Sequence, residues 1–168
     1  MIFTAFLTSF VLFGTPALPP LQWSIFAAQA PSEARAQSGF HLGSMAELAV
    51  VNENVNAMIS PERTPLPPVG NGWRVWPVAG WCGDYAVTKR HDLMVRGWPS
   101  AALLLAEVIT ADGQHHAVLV VHAPTVGWLV LDNLTWDILP TSLVHYPVVR
   151  IQSEFDPQVW FAAKELPR

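Results

Sequence analysis

The chain lacks the residues on which several classes of protein depend. It has one cysteine, Cys82, in 168 residues, so no disulfide within the chain can hold the fold, and cysteine usage leaves the redox compartment open. Positive charge is scarce: nine Lys and Arg against thirteen Asp and Glu give a formal net charge of −4. With no basic cluster besides, nucleic acid is excluded as a partner. Zinc ligands are missing too, because His115, His116 and His122 crowd together without a second cysteine or a helical His-x-x-x-His pair to give ligand spacing. The longest N-terminal apolar run, Ile2 to Phe13, falls short of the roughly 20 residues that cross a bilayer. Internal repeats are absent, and nothing in the pattern specifies an oligomeric state.

Residues 1–36 read as a signal peptide and disordered leader. The apolar run has the length of a signal core, and Ala28-Gln29-Ala30 or Ala34-Arg35-Ala36 offers a small-residue cleavage site. Against the usual pattern, no Lys or Arg precedes Arg35, and Pro16, Pro19 and Pro20 interrupt the segment. The expectation is a periplasmic or secreted protein with no stable membrane insertion once the signal is gone. Pro31 to Gly43 is small and polar, which predicts disorder. Residues 44–168 then form one domain, since this length leaves no room for a second.

Within that domain helices come first and strands follow, an α+β order. Met45, Leu48, Val51, Val55 and Met58 recur at helical spacing, and Ser44 with Glu47 makes a capping box, predicting a helix from Ser44 to Ile59. Asn52 and Asn56 lie on an adjoining stripe and are expected to hydrogen-bond nearby backbone. A loop rich in proline follows, with Pro61, Pro65, Pro67 and Pro68. A second helix is predicted from Cys82 to Arg96, with Ala86, Val87, Leu93 and Met94 on its apolar face and Lys89, Arg90 and Asp92 in water; Gly97 and Pro99 stop it. Ala101 to Ile109, His116 to Val121 and Trp128 to Asn133 are apolar runs joined by turns at Asp112-Gly113 and Pro124 to Gly127, which predicts an antiparallel meander. Tyr146 to Gln152 reads as a fourth strand, and Phe155 to Lys164 as a terminal turn or short helix packed back on the domain.

Chemistry gathers around Cys82. A cysteine in the first turn of a helix sits among unpaired N–H groups at the positive end of the dipole, and both favour thiolate over thiol. The alternative is an inert buried cysteine, a common fate for free thiols. The meander supplies partners. A turn centred near residue 124 or 125 places His116 opposite Asp132 or one diagonal away, on the same sheet face. His115 faces the other way, and His122 lies six residues further on, about 20 Å along an extended strand. Cysteine, histidine and carboxylate in this relation make the nucleophile, base and orienting group of acyl transfer. Trp73, Trp76 and Trp81 crowd the nucleophile and are expected to form core and cleft wall.

These residues carry a resemblance. Val51 to Asn56, Trp73 to Pro77, Cys82-Gly83-Asp84-Tyr85-Ala86, Lys89-Arg90, Gly97-Trp98-Pro99, His116 to Leu119, Val130-Leu131-Asp132-Asn133, and Tyr146 with Arg150 to Ser153 stand in the order seen in the bacterial transglutaminase-like cysteine proteinases. That family includes a periplasmic protease releasing biofilm adhesins. The resemblance implies a papain/transglutaminase-like fold, with the active-site helix packed on an antiparallel sheet. It also implies a cysteine peptidase acting on protein or peptide substrates through a thioester, with Cys82 as nucleophile, His116 as base and Asp132 as its orienting group. The family's usual Gly-Asp-Cys-Glu-Asp-Tyr appears here as Gly80-Trp81-Cys82-Gly83-Asp84-Tyr85, so two acids are replaced by Trp81 and Gly83. Such acids help hold calcium in the calcium-dependent branch, and the expectation from their loss is no metal and no cofactor. The same replacements support a rival reading, a catalytically inactive module that binds a peptide or protein partner.

Overall fold

The structure, a computed structural model, describes residues 14–39, 41–63 and 70–168. The apolar run at Ile2 to Phe13 and the prolines at 65, 67 and 68 lie outside them. In chain order the elements are β1 (Thr15–Ala17), α1 (Leu21–Gln29), α2 (Met45–Met58), β2 (Ser60–Pro61), β3 (Ala79–Gly80), α3 (Cys82–Val95), β4 (Leu103–Ile109), β5 (His115–Ala123), β6 (Gly127–Leu131), β7 (Leu139–Pro140), β8 (Val148–Gln152) and β9 (Trp160–Ala162). The fold is therefore α+β, with three helices on a mainly antiparallel sheet. Among the described residues no helix is long and apolar enough to cross a membrane.

Local chemistry sets the helix ends. Ser44 caps α2 by accepting the Glu47 N–H at 3.2 Å, satisfying one of the orphan donors of the first turn. α3 ends at Arg96, and Gly97 turns the chain with a φ of +96°, a conformation that costs glycine little.

The seven-stranded sheet runs β1-β9-β8-β4-β5-β6-β7. β4, β5 and β6 form the predicted meander, while β8 returns to pair with the far side of β4. Side chains alternate across the strands. Leu103, Leu105, Leu119, Val121, Leu129 and Leu131 join the helices in the main core, and Leu104, Ala106, Val118, Val120 and Val130 join Ile151 in a second cluster. β5 and β6 pair from Ala123–Gly127 back to Leu119–Leu131. His116 and Asp132 lie just beyond that last pair, one diagonal apart in the register read from the turn.

Three expectations change. The segment from residue 14 to 36, read as a leader, is part of the domain. β1 pairs with β9, Trp23 and Phe26 of α1 are buried, and Glu33 is buried against α3. A short apolar segment has the composition both of a signal core and of a covering helix, and only its partners tell them apart. The wet face given to α3 is also corrected, because Lys89 and Arg90 are fully enclosed at 0% and 1% exposure. Arg90 donates to the Glu33 and Leu103 carbonyls at 2.7 and 3.2 Å, and its guanidinium lies 5.6 Å from the Trp23 ring centre. Finally, the terminal segment is a strand rather than a turn or helix, with Trp160 facing the core and β9 filling the gap between β8 and β1.

Trp23 joins these elements, its ring centre 5.7, 6.2 and 6.4 Å from those of Phe26, Trp73 and Trp160. Trp23→Ala is expected to cost about 3–5 kcal/mol, as large-to-small changes in a core do, measured by chemical denaturation.

Candidate active site

The nucleophile turn is built from the segment before α3. β3 pairs in parallel with β2, tying the chain before Cys82 to the end of α2, and the Tyr85 hydroxyl donates to the Ile59 carbonyl at 2.7 Å. Asp84, third residue of the helix, reaches back to accept the Trp81 N–H at 3.1 Å. This is the acidic half of a capping box. Trp76 takes a left-handed φ of +53°, uncommon for a side chain of that size, and is held at both ends. Its backbone N–H donates to Thr88 Oγ1 at 3.1 Å and its indole to Asp92 Oδ1 at 3.2 Å. The result is a half-buried thiol at the first helical residue.

Gly83 has a local cause. A Cβ there would stand 2.0 Å from Trp73 Nε1, far inside contact distance, so the indole occupies the space that any side chain at 83 would need. The glycine belongs to the packing of Trp73 against the helix start.

His116 and Asp132 meet beyond the paired ends of β5 and β6. His116 Nε2 lies 2.7 Å from Asp132 Oδ1 with both side chains buried, and Cys82 acts on the same imidazole. Burial opposes charge on the imidazole, but the bonds and charges of Asp132 and Cys82 outweigh it and push its pKa up to about 9. For Asp132, burial raises the pKa and is likewise outweighed, chiefly by His116, so the carboxyl lies below its usual range. His115 faces away, exposed and 2.5 Å from Glu107 Oε1. His122 stacks on Trp128 with ring centres 4.6 Å apart.

Sequence reasoning missed what holds the carboxylate. The Tyr146 hydroxyl donates to Asp132 Oδ2 at 2.9 Å and the Leu134 N–H to Oδ1 at 3.0 Å. Burial and the neighbouring Asp132 charge push the Tyr146 phenol up to about 12, so it remains a donor. Asn56 donates to the Asp132 and Thr135 carbonyls at 3.0 and 3.2 Å, and Asn52 to the Trp136 carbonyl at 3.1 Å. Both asparagines bond backbone as expected, but backbone more than 70 residues away. Lys89 is the other surprise. Its Nζ is buried without a hydrogen-bond partner, and burial brings its pKa down to about 7 against the opposing pull of Asp132.

A profile of the bacterial transglutaminase-like cysteine proteinases matches residues 13–166. The chain belongs to this family. LapG of Legionella pneumophila, solved calcium-bound, is 26% identical, with a TM-score of 0.58 over 73% of this chain and 71% of that one. EGTA-treated LapG gives 26% and 0.57 over 73% and 69%. No curated protein matches significantly. As a transglutaminase-like cysteine proteinase, the chain has the fold that its motifs implied.

The comparison corrects one expectation. LapG, which shares this fold, is found calcium-bound, so the loss of two acids at Trp81 and Gly83 does not support the exclusion of calcium. The inference counted only acids flanking the nucleophile, whereas a hard cation takes oxygens from anywhere in the chain, backbone carbonyls included. At the nucleophile turn the remaining acid, Asp84, is engaged by protein donors. Asp84 is 1% exposed. Its Oδ1 accepts the Arg74 N–H at 2.7 Å, and its Oδ2 accepts the Arg74 guanidinium at 2.9 Å besides Trp81. No group of three or more His, Cys, Asp and Glu forms a metal cluster among the described residues.

The raised imidazole pKa has a definite sign. His116 is charged below about 9, so the stability carried by its proton is complete below the unfolded pKa of about 6.5 and is lost as pH rises through about 9. NMR titration of the ring is expected to give a midpoint near 9, moving down in Asp132→Asn. Gly83→Ala is expected to destabilise the fold, and Trp73→Ala made alongside to recover part of the loss, read by thermal unfolding.

Proposed function

We propose that this proteinase cleaves amide bonds in protein or peptide substrates through a thioester on Cys82, with His116 and Asp132 completing a triad. The observation that carries the reading is one imidazole shared between a buried carboxylate at 2.7 Å and the thiol at the helix start. With its pKa near 9, His116 enters the reaction carrying the proton that it will deliver, beside Cys82. The thiolate attacks the scissile carbonyl, and free N–H groups of the first helical turn receive the oxyanion. His116 passes its proton to the departing amine as the C–N bond breaks, leaving the thioester. Neutral His116 then takes a proton from water, which attacks the thioester and releases the acid and the thiolate. Asp132, held by Tyr146 and the Leu134 N–H, keeps Nε2 engaged so that Nδ1 serves Cys82.

An amine entering in place of water would give transamidation through the same thioester. Hydrolysis is assigned because the family is one of proteinases. Calcium enters through LapG, so turnover is assayed with calcium and with excess EGTA, and no chemical step is routed through the ion. We also assign export to the periplasm or beyond, with cleavage ahead of Thr15, because β1 and α1 belong to the folded domain. Mass spectrometry of the exported protein reads that terminus.

Cys82→Ala is expected to abolish hydrolysis. Asp132→Asn should lower kcat by one or more decades with the fold intact, as loss of an orienting carboxylate does. The alkaline limb of kcat/KM should fall near pH 9, where His116 loses the proton that it must deliver. Iodoacetamide labelling of Cys82 that is indifferent to His116→Ala, with no peptide hydrolysed, would instead establish the inactive binding module.

A further inference from the structure

Among the described residues Arg74 makes two of the three hydrogen bonds that the Asp84 carboxylate accepts, yet it has no part in the chemistry above. Its backbone N–H and its guanidinium take opposite carboxylate oxygens at 2.7 and 2.9 Å. The same Nη2 donates to the Ala79 carbonyl at 3.1 Å, and the guanidinium carbon lies 5.6 Å from the centre of the Trp81 ring. Asp84 in turn holds the Trp81 N–H, and Gly80 lies so close that a Cβ there would stand 2.7 Å from Asp84 Oδ2. Ala79, Gly80, Trp81 and Asp84 thus surround Cys82 in sequence, and the guanidinium or its partner carboxylate touches each of them.

We propose that Arg74 is the positioning residue of the nucleophile turn, its guanidinium bridging the Asp84 carboxylate and the Ala79 carbonyl across the face of Trp81 to fix where Cys82 stands. Two causes make the bridge necessary. Asp84 is almost wholly buried, and a buried carboxylate is stable only when paired and hydrogen-bonded. The turn must also be rigid, because a nucleophile displaced by an ångström loses a large part of its rate. Arginine suits the task where lysine does not, since its planar fork donates in several fixed directions and stacks on an aromatic face.

The inference rests on Cys82 being the nucleophile, and its test separates the two. Arg74→Ala and Arg74→Lys are compared with wild type at fixed calcium in two measurements: the rate of Cys82 alkylation by iodoacetamide, and hydrogen exchange at the Trp81 amide. In Arg74→Ala, alkylation is expected to slow by about tenfold or more and Trp81 exchange to accelerate. Tens of millimolar guanidinium, far below the molar concentrations that unfold proteins, should restore both in this variant and change neither in wild type. Arg74→Lys should fall between the two, with kcat lowered and KM little changed. Wild-type alkylation and exchange in Arg74→Ala, or losses that guanidinium does not restore, would overturn the assignment. If Arg74→Ala does not fold, wild-type rates in Arg74→Lys would overturn the bridge. A Trp81 amide that loses protection in a protein without turnover would leave the bridge standing and remove the proteolytic reading instead.

Discussion

The structure depends on enclosing a polar helix. α3 carries Asp84, Thr88, Lys89 and Arg90 into the interior, and each must recover in the fold what it loses in leaving water. Thr88 bonds the Asp84 carbonyl, Asp84 engages Arg74, and Arg90 is fixed by Glu33 and Leu103. Those partners come from the start of the chain, from the segment before the helix and from β4, so solvating one helix internally specifies how three distant parts assemble. Lys89 Nζ and Arg90 Nη2 keep unpartnered nitrogens, and Lys89 faces the field of Asp132.

The same logic organises the reacting groups. A buried imidazolium is unfavourable by itself, and its proton is retained because Asp132 and Cys82 both face it. Asp132 is in turn secured by a hydroxyl, an amide and, through its own carbonyl, the side chain of Asn56. α2 thereby steadies the loop beyond β6.

What the sequence made legible was periodic or positional. Ser44 and Glu47 marked a helix start, the turn between β5 and β6 placed His116 and Asp132 on one face, and the cysteine lay at the first helical residue. The misreadings came from partners remote in the chain. Arg90 looks solvated until Trp23 and Glu33 are folded against it, and residues 14–36 look like a leader until Trp23 meets Trp73 and Trp160. Gly83 looks like a degraded motif until the indole above it is seen. Counting acids beside Cys82 failed for a related reason, because neighbours in sequence are only part of what a cation or a carboxylate meets in space.

The outermost strands of the seven-stranded sheet bear on how a substrate can approach. β1 is Thr15-Pro16-Ala17 and β7 is Leu139-Pro140, so each border is short and carries a residue with no N–H to offer. Such borders resist the addition of a further strand. A polypeptide arriving in extended form therefore finds no ladder to join at either margin. Neither margin of this sheet serves to hold an extended chain, and recognition of one falls to other parts of the surface.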